Sequence, residues 1–493
     1  MNLASVILQR ALRDPQAVAV VEGEQTLRYA DLERGVRLTA AALAARGVGR
    51  GTVVGLASSH VAVHLIVTLA VARLGAVSMP RGSGATDEER LGPLRRAGAR
   101  IIVGERPLRD GESFEGFDYV AADRALIEGV GSSAEHGWGP DCSDLPWRLT
   151  LSSGTTGEPK PVALTHGRAL AHWFAQNCLI PYGAGTRLFT TIGLNISFGI
   201  SHCLRQLAFG GTVVAYSAKL PEAFSLCERH GVTHMVASPS TAARLVDMLP
   251  DERPRFPDMH LLLGGAVVSA ALQDKLRRRV TAKITSIYGA SELGMLAIAD
   301  PQLLADHPDA AGRVLPWAQA EAVDERGDAL APGMTGELRF RTLGGFSGYE
   351  GDPETTARYL RDGWFHPGDF GRVTREGLLF VDGRLDDVIN IGGVKMLPSA
   401  VEQVLELHAD VAESAAVPVT MPGGQLVLVA VVVSRGEFDE ASVIAHCRER
   451  LGARAPARVF RVDALPRNDM GKIQRRELAS RIRVDQPPGP VAR

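Results

Sequence analysis

Hydrophobic and polar positions follow two alternating rhythms over the first two thirds of the chain. Short apolar runs predict strands at Ala17–Val21, Thr52–Ala57 and Ala76–Met79, and helical spacing of apolar residues predicts helices at Tyr29–Ala45 and His60–Leu74. Gly75 is a stop signal for the second helix, and Pro80 closes the third strand. The alternation resumes with predicted strands at Trp147–Leu151, Arg187–Thr191, Thr212–Tyr216, Thr233–Ala237, His260–Leu263 and Lys283–Ile287, with helices between most of them. Strand alternating with helix predicts an α/β fold of parallel sheet covered by helices. From about Gly312 the pattern shortens, and GELRFRT and GRVTREGLLFVDGR read as antiparallel strands joined by tight turns. After Arg384 a further section opens, with a predicted helix at Ser399–Glu406, strands at Ala412–Pro418 and Leu426–Ser434, and a helix at Glu440–Leu451. The closing VDQPPGPVAR reads as a disordered tail.

Composition narrows the partners. The 493 residues carry 54 Lys+Arg against 56 Asp+Glu, a formal net charge of −2. That balance removes the electrostatic case for nucleic acid or an anionic membrane as the main partner. Hydrophobic residues at 45% and charged residues at 22% are those of a globular chain. At roughly 150 residues per domain, two to four domains are expected. The five cysteines are scattered without a CxxC pair, as in a reduced cytoplasmic enzyme. The first apolar stretch is broken by Arg10 and Arg13, unlike a secretion signal, and no window reaches the ~18 apolar residues of a membrane span. Six of the basic residues are lysine, at 160, 219, 275, 283, 395 and 472. Such scarcity makes each of them worth inspecting.

The most informative segment is Ser152–Lys160, SSGTTGEPK, which follows the predicted strand Trp147–Leu151 and holds four hydroxyls, two glycines and a lysine. Glycines let successive N–H groups converge on an anion, hydroxyls add donors, and lysine adds a point charge. These are the requirements of a nucleotide triphosphate; the bland alternative is a polar surface loop. A Walker A loop is excluded, because Lys160 is followed by Pro161 where that loop needs Ser or Thr. Gly289–Ala290–Ser291–Glu292–Leu293 is a near miss for a nucleophile elbow, with the second glycine one place late at 294.

SSGTTGEPK followed by TH, then YGASE, GELRFRT, DGWFHPGDFGRV, GRLDDVINIGGVK and PRNDMGKIQRREL occur in this order. Together with TLRYADLERGVRLTAAALAARGV and LAVARLGAVSMP near the start, they resemble the adenylate-forming superfamily over nearly the whole chain. That superfamily comprises acyl- and aryl-CoA synthetases, nonribosomal peptide adenylation domains and firefly luciferases. The resemblance implies a large N-terminal domain over 1–384, built of two α/β/α subdomains plus a distorted β-barrel. A small mobile α+β C-terminal domain would follow over 385–483, with a tail at 484–493. It implies a two-step reaction, in which a carboxylic acid and ATP give an acyl-adenylate, and a thiol then takes the acyl group. The thiol is that of coenzyme A, or the phosphopantetheine of an acyl or peptidyl carrier protein.

Residue by residue, the resemblance gives each motif a role. Ser153, Gly154, Thr155, Thr156, Gly157 and Lys160 would wrap the ATP phosphates, and Glu292, with Thr155, would hold Mg2+. A carboxylate suits that hard cation. Tyr288 and Gly289 would lie against adenine, with Gly264, Gly265 and Ala266 on its other side, and Ser291 stands where the family usually has Thr. Asp369 would take the ribose hydroxyls, and Arg384 the ribose and phosphate. Asp386 would be the hinge residue. Lys472 would reach the α-phosphate and the substrate carboxylate, where a mobile ammonium stabilises a crowded phosphoryl transition state. Gly392, Gly393 and Lys395 would line the pantetheine tunnel, and INIGGVK is closer to the CoA-ligase form of that stretch.

Two departures stand out: Pro161 in place of a glycine after the loop lysine, and His366–Pro367 in place of the usual residues before GD. The resemblance places the acyl pocket at GLNISFGISHCLRQLAFGG, with Asn195, Phe198 and Gly199 from that stretch and Gly289 and Ala290 from YGASE as its expected lining. No Asp stands near Asn195 to hold an α-amine, which disfavours amino acids. The expected activity is therefore an ATP-dependent acid–thiol ligase, foremost an acyl- or aryl-CoA synthetase. The rivals are an acyl-AMP ligase loading a carrier protein and a non-catalytic scaffold.

Overall fold

The computed structural model describes the chain apart from residues 83–85, 110–111, 124–126, 128–138, 153–159, 216–221, 250–252, 388, 392–393, 421–425, 437, 468–471 and 483–493. The chain divides into two compact units. One is formed by Met1–Ala318 with Arg341–Gly363, the other by Gln319–Phe340 with Trp364–Arg493. The position after Arg384 lies inside the second unit, where the strand Leu378–Arg384 passes into the short helical turn Leu385–Asp387.

Two sheets build the first unit. In one, the strands run in the order Asp118–Ala121, Ile101–Gly104, Val53–Ala57, Val77–Pro80, Pro146–Ser152 and Lys160–Thr165. Its first five strands are parallel, and the last closes an antiparallel hairpin with its neighbour. The other sheet places Ile284–Ala290, His260–Gly264, His234–Ala237, Arg187–Thr190, Thr212–Val214 and Val18–Glu22 side by side, all parallel. Strands such as Val77–Pro80 are buried along their whole length, as expected where helices cover both faces. The helix Val61–Arg73 ends as its sequence predicts. Gly75 adopts φ +69°, Ala76 N–H donates to Val71 O at 3.1 Å, and Gly75 N–H donates to Ala72 O at 3.0 Å. That paired closure requires a left-handed residue, which glycine supplies without strain.

The second unit contains most of the strand Gly336–Thr342, the strand Asp369–Val373 antiparallel to it, the strand Leu378–Arg384 antiparallel to Asp369–Val373 in turn, and a separate sheet of Val411–Thr420, Leu426–Ser434 and Arg458–Arg461. The run LVLVAVVVS has no polar face because both of its faces are buried. Leu428, Ala430 and Val432 join the core formed by the helices Pro398–Glu406 and Glu440–Leu451, while Val429 and Val431 pack with Leu478 and Ile482.

Five histidines of the first unit, His64, His166, His172, His202 and His234, are buried. Burial pushes their imidazoles down, His64 to about 3 and His166, His172 and His234 to about 4, with His202 held well below its ordinary 6.5. On unfolding each takes up a proton near its ordinary pKa, so the unfolded state binds more protons below about pH 6.5. The stability they leave intact at neutral pH is lost as pH falls from about 6.5 toward about 4. Melting temperatures recorded from pH 7.5 to 5 should therefore decline below 6.5; a flat profile would contradict these neutral, buried rings.

Candidate active site

Gly264–Ala266 and Tyr288–Glu292 lie at or just past the carboxyl ends of parallel strands, where open α/β sheets hold their ligands. Gly264 ends the strand His260–Gly264, and Gly265 follows with φ +94°, a conformation that favours glycine. Tyr288, Gly289 and Ala290 end the strand Ile284–Ala290, which pairs with Gly294–Ala299 across a register shift between Tyr288 and Gly289. The connecting turn presents Ser291 and Glu292. A Cβ on Gly264 would come within 2.8 Å of the Phe198 ring, so this glycine lets a residue of the expected acyl pocket meet the expected adenine-backing stretch. Gly199 packs as closely, since a Cβ there would stand 2.7 Å from the carbonyls of Ile192 and Gly193.

A line of hydroxyls connects the two sheets. Ser197 Oγ, beside Phe198 at the start of the helix Ser197–Ala208, donates to Thr150 Oγ1 at 2.9 Å and reaches Ser291 Oγ at 3.5 Å. Behind Phe198, the His202 ring makes an edge contact at 4.8 Å, and His202 Nδ1 shares a 2.6 Å hydrogen bond with Tyr182 OH. Asn195 is half-buried in the loop after the strand Arg187–Thr190.

Lys160 and Glu292 meet through a residue that the motifs do not single out. Glu292 is buried, and its Oε1 accepts from Tyr349 OH at 2.8 Å. The Lys160 ammonium donates to Thr355 Oγ1 at 2.9 Å and lies 5.8 Å and 5.5 Å from the ring centres of Tyr349 and Tyr359. These distances are within cation–π range. Arg168 donates to the Glu292 backbone carbonyl, and burial lowers its guanidinium to about 10 against the opposing pull of Glu292. Pro161, the departure beside Lys160, lies in the edge strand Lys160–Thr165, where a missing N–H is tolerated.

In the second unit Asp369 stands opposite Arg384 in the ladder, with Arg384 Nε 3.8 Å from Asp369 Oδ1. Arg384 Nη2 donates to Pro367 O at 2.5 Å, and Leu385 N–H donates to Gly368 O at 2.7 Å. The structure thus uses Pro367 for its carbonyl, which proline retains. His366 is buried with Nδ1 3.2 Å from Glu337 Oε1. Asp386 lies in the turn Leu385–Asp387, and Lys395 in the strand Val394–Met396, paired with Asn390.

Lys472 is half-buried and precedes Ile473, which bridges Arg467, and Gln474, whose N–H donates to Pro466 O at 2.8 Å. Two arginines fix its flanks. Arg467 pairs with Glu413 at 2.7 Å, and Arg475 makes two 2.8 Å bonds to the Glu402 carboxylate while lying 3.7 Å from Asp387. Of the other lysines, Lys275 and Lys283 pair with Asp247 and Asp258 at the surface. Ser153, Gly154, Thr155, Thr156, Gly157, Gly392 and Gly393 lie outside the described residues.

Tyr349 and Thr150 carried no sequence signal of their own, and Ser197 entered only as part of the stretch GLNISFGISHCLRQLAFGG. Glu292 supplies one hard oxygen donor, and no cluster of three His, Cys, Asp or Glu side chains able to cage a metal occurs among the described residues. That donor set fits Mg2+ bound largely through nucleotide phosphates. No helix among the described residues is long and apolar enough to cross a membrane.

Comparison with known proteins agrees with this architecture. The AMP-binding enzyme description matches residues 7–350, and the AMP-binding enzyme C-terminal domain matches 400–472. The chain belongs to the AMP-binding enzyme family. It is 32% identical to a feruloyl-CoA synthase of Amycolatopsis sp over 98% of this chain and 99% of that protein. To the 2-succinylbenzoate–CoA ligase of Geobacillus kaustophilus it is 30% identical, over 95% of this chain and 96% of the relative. The fold matches that of O-succinylbenzoate coenzyme A synthetase (MenE) from Bacillus subtilis, solved with ATP and magnesium ion. There the TM-score is 0.86 at 24% identity, covering 96% of this chain and 99% of that one.

Proposed function

We propose that the chain is an AMP-forming acid–thiol ligase that joins a carboxylic acid to coenzyme A. In the first step a carboxylate oxygen bonds to the α-phosphorus of ATP, and the bond to pyrophosphate breaks. In the second the sulfur of the thiol bonds to the acyl carbon, the bond to AMP breaks, and the thiol proton passes to solvent. The observation that carries this reading is the meeting of Lys160 and Glu292, far apart in sequence, around one tyrosine. A phosphate-binding cation and a metal-binding carboxylate need that proximity. Mg2+ held by Glu292 would neutralise phosphate charge. Lys160 would bind the β- and γ-phosphates, Tyr288 and Gly264–Ala266 would bracket adenine, and Asp369 and Arg384 would hold the ribose. Lys472 would stabilise the charge that develops at the α-phosphate, and Asp386 would be the hinge.

For the acid we propose an aryl or aryl-bearing carboxylate. The Phe198 ring, backed by His202, offers a flat surface to such a group, and the named relatives act on acids of that kind. Acid-dependent exchange of pyrophosphate into ATP, measured over aliphatic, aryl and amino acids, tests the reading. Exchange should be strongest with aryl acids, and its absence with every acid would favour a scaffold. Incubating the active acid with CoA or with a phosphopantetheinylated carrier protein, followed by mass measurement, then identifies the acceptor.

A further inference from the structure

We propose that Tyr349 is a positioning residue of the phosphate-handling half of the site, its phenol orienting the Glu292 carboxylate while its ring face holds the Lys160 ammonium. The proposal rests on the reading of Glu292 as the metal-binding carboxylate.

Tyr349 is buried in the first unit, and its placement is over-determined. Its backbone N–H donates to Thr356 Oγ1 at 2.9 Å, and Thr356 Oγ1 in turn donates to Asp352 O at 2.8 Å. Gly348, at φ +129°, leaves no room for a side chain, since a Cβ would come within 2.7 Å of Thr356 Cγ2. The ring is edge-packed by Phe346 at 5.0 Å and Tyr359 at 5.9 Å. Asp352 caps the helix Pro353–Tyr359, accepting from Thr355 N–H at 2.9 Å, and that helix carries both the hydroxyl and the second ring that meet Lys160. The segment 346–359 is therefore a preformed bracket with two functional contacts, a donor on one carboxylate oxygen and an aromatic face under one ammonium.

A buried carboxylate can rotate about its last bond, and a donor fixed to one oxygen removes that freedom. Partners that orient a metal-binding group in this way typically change metal affinity about 10–100-fold when removed. The aromatic face acts on Lys160 without consuming a donor. It attracts the ammonium while leaving its N–H groups directed elsewhere, as toward Thr355.

The test uses Mn2+ as a paramagnetic probe on the full chain with ATP present and no carboxylic acid, so that binding is read without turnover. Tyr349→Phe keeps the ring and its packing and loses only the donor. It should weaken Mn2+ binding to the enzyme–ATP complex about tenfold or more, while ATP affinity without metal stays within about twofold because Lys160 keeps its aromatic face. Glu292→Gln should weaken Mn2+ at least as much. In the Glu292→Gln background, Tyr349→Phe should then have no further effect, since the two act as one unit. Additive losses would mean that the phenol acts by general loosening, and would overturn the proposal. Loss in Glu292→Gln with wild-type affinity in Tyr349→Phe would overturn it while leaving the reading of Glu292 intact. Unchanged affinity in Glu292→Gln would overturn both. If the phenylalanine variant does not fold, Tyr349→His, which keeps a donor on a flat ring, is compared with Tyr349→Leu. Equal losses in those two would also overturn the role of the phenol.

Discussion

Lys472→Ala should slow acyl-adenylate formation about 10²–10³-fold, the usual cost of removing one charge-stabilising group from a transition state. The physical case is that the attacking carboxylate and the α-phosphate are both anionic, so their approach needs a cation that is present at the moment of bonding. Lys472 is suited to this because described residues on either side of it are pinned, Arg467 to Glu413 and Arg475 to Glu402, while the ammonium sits at the end of a flexible stem. Those anchors belong to neighbouring residues, so the alanine variant should fold and melt like the wild type. Lys472→Arg should restore only part of the rate, because a planar fork does not replace a compact ammonium beside a phosphate. Single-turnover assays with ATP and acid read the first step. Supplying preformed acyl-adenylate and CoA reads the second, which should stay within about threefold of wild type because the contribution is confined to one transition state. Adenylate formation near the wild-type rate would remove Lys472 from the mechanism.

Asp369→Ala should raise the KM for ATP about 10–100-fold and leave the KM for the acid within about twofold. A hydrogen bond to a charged group is worth about 1.5–3 kcal/mol, and 1.4 kcal/mol is a factor of ten in affinity. The side chain is well placed to make such bonds, since the ladder sets it opposite Arg384 and the Arg384 guanidinium is held by Pro367 O. Asp369→Asn keeps the shape and loses the charge, so it should fall between alanine and wild type. An unchanged KM for ATP in both variants would assign Asp369 to holding Arg384 alone.

The regular elements were legible because their burial repeats at short range. Leu426–Ser434 and Glu440–Leu451 were readable to the residue from apolar runs and helical spacing, and the predicted parallel strands of the first unit fell within a few residues of expectation, whereas Ile101–Gly104 and Asp118–Ala121 were not anticipated. Strand ends were less legible. Ile284–Ala290 runs three residues past the predicted Ile287, because its ladder continues as a hairpin with Gly294–Ala299, a long-range pairing that no local pattern announces. The site was half legible, since Lys160, Glu292, Asp369 and Lys472 stand in recognisable motifs. Tyr349 does not, because its contacts join segments distant in sequence and leave no periodic trace. Arg148 and Arg205 show the same limit from the other side. Each is an arginine that local polarity would assign to solvent, yet both are fully buried, Arg148 against the Leu194 carbonyl and Arg205 over the Tyr182 ring at 4.1 Å.

The segment that carries Tyr349 also lies along the open side of a sheet. Lys160–Thr165 is the last strand of its sheet, and an uncovered last strand is a template for pairing with another copy of the chain. Here Val162 bridges Tyr349, and Glu350 N–H donates to Pro161 O at 3.3 Å, so part of that edge is already taken. Pro161 adds a second barrier, since it has no donor to offer an incoming strand. Damage to residues 346–359 would therefore bare a sticky edge in the same stroke that disorganised Lys160 and Glu292, and loss of solubility would accompany loss of chemistry.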